Sequence, residues 1–349
     1  MTQTVFVGLS GGVDSGTSAA LLKEQGYEVV GVFIKIWQPE FIECTWREDR
    51  LDAMRVAAAL AIPFREIDLS NEYKHEVVET MVRDYERGVT PNPDVLCNEK
   101  IKFGAFAQWA FENGADLIAT GHYARAKIVG GKARLLCGVS PAKDQSYFLY
   151  RIGQNELART LFPIGEYEKT YVRELAARFD LPVANKHDSQ GLCFVGDVSM
   201  ADFLRRFIKV NVGIVVDTSS KQIGTHDGAA LYTIGERHGM QINGKDAQKG
   251  AWYVVAIDTK NNVITASTNR TDAARTSAVL DVAHWIADAP TYDKKYMAQA
   301  RYHEKPFAVT LQKNADGIVA QFDTPHIASA GQSLVIYDED ECLGGGIIK

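Results

Sequence analysis

Cysteine is scarce and unpaired in this sequence: five residues, at positions 44, 97, 137, 193 and 342, form an odd set with no CxxC pair. That excludes a secreted disulfide framework and a zinc ribbon, and it predicts a reducing compartment. No run approaches the roughly 18 apolar residues of a membrane span, and MTQTVFVGLSGG carries neither a basic leader nor a cleavage site. A cytoplasmic protein without a membrane partner is expected. Positive charge is not in surplus either, with 38 Lys and Arg against 44 Asp and Glu. A nucleic acid would therefore have to be held by a local basic patch and not by a domain-wide field. Internal repeats and low-complexity tracts are absent too. What remains is an ordinary globular composition, and 349 residues are more than one core usually serves.

The first 120 residues alternate apolar runs with helical patterns: TVFVGL, a helix from Ser15 to Gln25 stopped by Gly26, EVVGVFI, a helix near Glu48 to Ala61, FREIDL, and a helix from Asn71 to Arg87. An irregular stretch GVTPNPDVLCN, a helix through KFGAFAQWAF and the run ADLIATG follow. This rhythm predicts a Rossmann-like α/β domain, a parallel sheet wrapped by helices with right-handed crossovers. After about residue 205 short alternating segments with turn signals take over (GIVVD, WYVVAID, NNVITAS), and a second break lies near Arg275. The expected organisation is a catalytic domain over 1–204, a small β-rich central domain over 205–275 and a C-terminal β-barrel over 276–349.

The sharpest local signal is GLSGGVDS, Gly8 to Ser15, placed after a buried strand and at the start of a helix. Paired glycines let the backbone form an anion nest, and the helix N-terminus adds free amides and a positive dipole end, so a pyrophosphate can be cradled. The loop lacks GK[ST] and GxGxxG, so neither a P-loop NTPase nor a nicotinamide enzyme is supported. A second signal is TPNPDVLCN, where two prolines fix an extended loop presenting Asp94 and Cys97 three positions apart, just before a helix whose N-terminus favours the thiolate. The third is HDSQGLCF, polar and glycine-containing around Cys193. Two thiols that meet through the fold suggest sulfur chemistry by thiolate exchange. A metal site is the alternative, kept open by His187 but poor in ligands at zinc spacing, so no metal ligand is assigned. Cys44, Cys137 and Cys342 are read as structural. Arg205, Arg206 and Lys209 in DFLRRFIKV make either a phosphate-contacting patch or a solvated helix face. Trp37, Trp109 and Trp285 read as core or boundary residues.

SGGxDS in this setting resembles the PP-loop ATP pyrophosphatases. With TPNPDVLCN, IKFGAF, ATGHYAR, KDQSYFL, LFPIGEYEK, DSQGLCF, YTIGERHGM, WYVVAID and GQSLVIYDEDECLGGGI in order from Val5 onward, the chain is similar to the bacterial tRNA-specific 2-thiouridylase family. That resemblance implies ATP-dependent replacement of the C2 oxygen of the wobble uridine, U34, by sulfur from a protein persulfide, with AMP attached to the oxygen to make it a leaving group. It implies ATP with Mg²⁺ as cofactors, and as partners a tRNA with uridine at position 34 and a sulfur donor protein, either a cysteine desulfurase or a relay protein. By the same resemblance Gly8, Leu9, Ser10, Gly11, Gly12, Val13, Asp14, Ser15 and Ile34 hold ATP together with Gly121. Cys97 is the nucleophile, Cys193 the persulfide carrier and Asp94 the proton-handling group. Asn92, Pro93 and Asp94 face the target base, while His122, Lys143, Asp144, Gln145, Arg301, Tyr302 and Gln332 contact tRNA. The chain departs from the family pattern at Gly16 and Gln190, where a serine and a threonine are usual. The rivals are another PP-loop ligase acting on a small carboxylate, of the argininosuccinate synthase type, and a non-catalytic RNA-binding protein.

Overall fold

The computed structural model describes residues 2–41, 46–187, 198–315 and 317–349. The N-terminal runs form strands β1 (Thr4–Gly8), β2 (Glu28–Lys35), β3 (Phe64–Asp68) and β4 (Leu117–Ala119), then a hairpin of β5 (Ala124–Val129) and β6 (Lys132–Cys137), and the short β7 (Thr160–Leu161). Helix α1 (Val13–Glu24) follows β1, and α2 (Trp46–Ala59) follows β2. The strands pair in parallel in the order β3-β2-β1-β4-β7. Successive β1 side chains enter opposite layers, Val5 and Val7 one apolar cluster and Phe6 the other, because both faces of the sheet are covered by helices. From β1 the chain winds outward through β2 and β3, then returns to β4 on β1's other side. The crevice at the carboxyl ends of β1 and β4 is thus the topological switch point, where doubly wound sheets take their ligands.

The central strands β8 (Gly213–Val216), β9 (Gln222–His226), β10 (Gln241–Ile242), β11 (Tyr253–Asp258) and β12 (Val263–Ser267) make a sheet of order β10-β9-β8-β12-β11 over a core of Val215, Ile223, Trp252, Val254 and Ile264. The C-terminal strands are β13 (Arg275–Trp285), β14 (Lys295–Gln299), β15 (Phe307–Asn314), β16 (Gly317–His326), β17 (Ser333–Asp338) and β18 (Glu341–Ile348). β13 bonds both β16 and β18, which closes six strands into the expected barrel around Leu280, Val309, Leu311 and Leu334.

Three features differ from the sequence reading. First, ARAKIVGGKARLLC, assigned no structure there, is the β5–β6 hairpin. Gly130 and Gly131 turn it at φ 58° and 78°, the positive pair a type I′ turn needs. β6 then pairs with β18 (Leu136 opposite Glu341), so a hairpin of the first domain extends the barrel sheet to eight strands. Second, helix begins at Pro93, four residues before Cys97, and continues without interruption through the π-helical Cys97–Phe106 to Glu112. Third, the helix in DFLRRFIKV ends at Leu204, and Arg205 is held by Asp202 at 3.0 Å and Asp227 at 2.6 Å. Among the described residues no helix is long and apolar enough to cross a membrane.

Candidate active site

The loop from Leu9 to Gly12 turns directly off the end of β1. Gly11 sits at φ +75°, and a Cβ there would lie 2.2 Å from the backbone oxygen of Asp49, so only glycine fits. Gly12 is the N-cap of α1 and offers no side-chain cap, which leaves the first amides of the helix available. Ser15 Oγ closes the loop by accepting from Ser10 N at 3.1 Å and donating to Gly12 O at 3.2 Å. Gly121, after β4, fits because its absent side chain would strike Ser15 N at 2.7 Å. Ile34, near the end of β2, lies beside Gly8. The nucleotide residues expected from sequence thus gather at the switch point.

Three side chains outside the expected set complete this loop. Lys169 donates to both oxygens of Asp14 at 2.7 and 2.9 Å, and Tyr123 OH donates to Asp14 Oδ1 at 2.9 Å. Lys186 reaches Gly11 O at 3.2 Å while paired with Asp49 and Asp52, both at 2.8 Å. Burial works against the charge on Lys186, but these two carboxylates raise its pKa overall. Lysine residues close to a nest suit it to a polyanion. Lys169 and Tyr123 end or lie within LFPIGEYEK and ATGHYAR, so they were present in the motifs, yet nothing local signals that they meet Asp14 across 155 and 109 positions.

The segment Thr120–Tyr123 joins this loop to the second motif. His122, buried, approaches Thr120 Oγ1 through Nδ1 at 2.8 Å and Lys102 Nζ through Nε2 at 3.3 Å. Burial, reinforced by the Lys102 charge, holds its pKa well below the usual value. An ammonium only donates, so neutral His122 accepts at Nε2 and carries its proton on Nδ1. Lys102 also acts on Asp94: burial lifts that carboxyl above its ordinary range, and the ammonium draws it part-way back. Asn92 Oδ1 caps the helix by accepting from Val95 N at 3.3 Å, with Pro93 at the first helical position.

Cys97 lies one turn inside this helix, buried among apolar residues, and not ahead of it as expected from the sequence. Its activation is therefore not that of an N-terminal residue, since the dipole effect fades beyond the first turn. Asn98, beside it, donates to Phe148 O at 3.2 Å, and Tyr302 packs on Phe148 with centroids 4.3 Å apart. The Tyr302 hydroxyl is pushed up to about 12 by burial, with Asp144 and Asp94 adding to the effect. Asp144 accepts from Gly138 N at 2.8 Å and from Ser146 Oγ at 2.8 Å, and Gln145 Oε1 accepts from Tyr123 N at 2.9 Å, while Lys143 is half-buried on the same turn. Gln332 and Arg301 direct their donors inward. Gln332 Nε2 bonds the carbonyls of Thr90 and Pro91 at 3.0 and 3.2 Å, and Arg301 bonds Ile234 O at 2.6 Å and Ser329 Oγ at 3.0 Å.

Cys193 and Gln190 lie outside the described residues, as does Cys44. The flanks of that stretch are placed: Lys186 is on the Gly11 loop, and Val198 and Met200 pack against the apolar cluster that contains Cys97. Cys137 and Cys342 sit together beside Ser146, where burial pushes Cys137 up to about 12 and holds Cys342 well above the usual thiol value, so both are inert thiols. Among the described residues no three His, Cys, Asp or Glu side chains group to hold a metal.

Residues 3–197 match the family model described as the tRNA methyl transferase HUP domain, residues 201–268 the tRNA methyl transferase PRC-barrel domain, and residues 275–348 the aminomethyltransferase beta-barrel domain. The chain is 43% identical over 352 residues to the tRNA-specific 2-thiouridylase MnmA of Pseudomonas savastanoi pv. phaseolicola, covering 99% of this chain and 94% of that protein. It belongs to the tRNA-specific 2-thiouridylase family. The family's proteins from Francisella philomiragia subsp. philomiragia and Herminiimonas arsenicoxydans are 42% and 41% identical, each over 99% of this chain and over 98% and 97% of their own lengths.

Proposed function

We propose that this family member is an ATP-dependent tRNA sulfurtransferase that thiolates uridine 34 at C2. The observation that supports this most is one contact chain: the Gly8–Ser15 nest, Asp14 to Tyr123, then His122 to Lys102, which faces Asp94 one turn before Cys97. It links an anion cradle, a carboxyl and a thiol, which supports a reaction that uses all three. Methyl transfer, the chemistry in the domain models' description, has no need of this set.

The nest and the first amides of α1 bind the ATP phosphates, with Lys169 and Lys186 adjoining. Asp14 already receives Lys169 and Tyr123, so the loop offers no unoccupied carboxylate to a cation. Mg²⁺ accompanying the ATP would neutralise phosphate charge, and no carboxylate of the loop is assigned to hold it. The uridine C2 oxygen attacks the α-phosphorus, and pyrophosphate leaves. The terminal sulfur of a Cys193 persulfide then displaces AMP at C2. The Cys97 thiolate attacks Cys193 Sγ, the sulfur–sulfur bond breaks toward the base, and a cysteine pair oxidised by two electrons remains for a thiol reductant to reset. Asp94, in its carboxylate form, takes the N3 proton that uridine loses as its C2 oxygen attacks. Asn92 and Pro93 border the base, which has left its stack. The His122 and Lys143–Gln145 segment and Arg301 with Tyr302 line the approach for tRNA, while the Gln332 amide is taken up by the Thr90 and Pro91 carbonyls. The sulfur donor is a cysteine desulfurase or relay protein, and the setting is cytoplasmic.

The test is mass spectrometry of U34 tRNA incubated with ATP, Mg²⁺ and a persulfide source. Exchange of one oxygen for sulfur is expected, lost in Cys97→Ser and in Cys193→Ser while tRNA-dependent pyrophosphate release persists. Turnover unaffected by either substitution would return the argininosuccinate synthase type of ligase, and no pyrophosphate would return a pure RNA binder.

A further inference from the structure

The loop that leads into Asp94 and Cys97 is held in its own domain by Val89 N on Asp84 O and by Tyr147 beside Asn92, and its middle, Thr90 and Pro91, is held from outside that domain. Thr90 and Pro91 are buried, and Pro91 and Pro93 have no amide hydrogen, so this stretch cannot satisfy itself by helix or sheet pairing. The partners of Thr90 and Pro91 come from the two β domains. Thr90 N donates to Ala330 O of the barrel at 3.1 Å. Gln332 Nε2, with two hydrogens, serves the carbonyls of both Thr90 and Pro91. Thr90 Oγ1 bonds Thr233 Oγ1 of the central domain at 3.2 Å. Gly331, at φ +88°, lies so close that a Cβ would fall 2.7 Å from Thr90 O. The turn Ser329–Gln332 is itself pinned to the central domain by Arg301, which spans Ile234 O and Ser329 Oγ.

We infer that Gln332 is a positioning residue of the catalytic helix: its amide, which alone bonds two successive carbonyls of the loop, helps set where Asn92 starts the helix and therefore where Asp94 and Cys97 stand. This rests on the thiolation reading for its kinetic consequence, though not for its structural one. A direct tRNA contact lowers KM for tRNA. A positioning contact acts on kcat, because the groups it places react only after tRNA is bound.

The experiment uses the full chain with Gln332→Met, which keeps the packing and removes both hydrogen bonds, and Thr233→Val, which weakens the same joint from the other domain. Hydrogen exchange over residues 89–97 is measured beside steady-state thiolation. For Gln332→Met the expected result is about a tenfold fall in kcat, KM for tRNA within about twofold of the parent, and exchange over 89–97 faster by about fivefold or more. Thr233→Val moves both in the same direction by less. Gln332→Lys, whose ammonium can donate to both carbonyls, restores kcat. Unchanged exchange in Gln332→Met overturns the inference, as does a rise in KM with kcat intact or a Gln332→Lys that only lowers KM. A parent protein that never thiolates tRNA would remove the proposed function, and the exchange comparison would still decide the joint.

Discussion

The Gly8–Ser15 loop and the Thr90–Cys97 segment are held in place by opposite means. The backbone of the first is shaped from within, since Gly11 has the required positive φ, Ser15 bonds Ser10 and Gly12, and the amides come from the next helix, while distant Lys169, Tyr123 and Lys186 are added around it. The second turns helical at Pro93, and the buried Thr90 and Pro91 before it are bonded to the central domain and barrel through Thr233, Ala330 and Gln332. A phosphate cradle can be built locally because backbone amides are its working groups. A reacting carboxyl and thiol must be placed relative to a large substrate, and that placement is supplied by the domains such a substrate would touch.

The harshest break of the first region is Gly11→Ala, which forces a Cβ against Asp49 O. About a hundredfold loss of kcat/KM for ATP is expected together with a lower melting temperature, read by kinetics and calorimetry. In the second region Asp94→Asn removes the base, and a comparable loss in kcat with ATP binding intact would separate the two regions cleanly. Lys169→Met leaves Asp14 without its cation, and about a tenfold rise in KM for ATP is expected while tRNA affinity holds.

A finer probe is Lys102→Met. Lys102 draws the raised Asp94 carboxyl downward, so its removal lets that pKa climb, and the acidic limb of kcat/KM moves to higher pH. Stability carries the matching sign. A carboxyl whose folded pKa is raised favours the fold while protonated, and that contribution is lost as pH rises through the folded value. Thermal scans of the parent and of Asp94→Asn across that range read it. The smallest effect belongs to Arg205→Ala, an exposed pair outside both regions, whose melting temperature should match the parent's within error.

Legibility in the sequence followed the same division. The parallel sheet, the glycine loop and the closing barrel were readable because period, glycine placement and turn residues are local properties. Lys169, Tyr123 and Lys186 were not, because their meeting with the loop depends on distant elements. The helical start at Pro93 was hidden by prolines that read as an irregular stretch, although Asn92 before Pro93 is a capping arrangement that could have revealed it. The β5–β6 hairpin also left a signal, Gly-Gly between alternating residues, but no pattern within it tells that its partner is β18. Gln332 lies 242 positions from Thr90, so its inward bond could come only from the fold.

That hairpin bears on the order in which the molecule can be made. Arg134 awaits Glu341, 207 positions later, and β6 has no neighbour on its outer side until β18 exists. During synthesis the nucleotide domain therefore emerges with an open strand edge, the kind of surface that invites wrong partners. That edge is covered only once β18 has been made, and a fragment stopped before the barrel would be expected to self-associate.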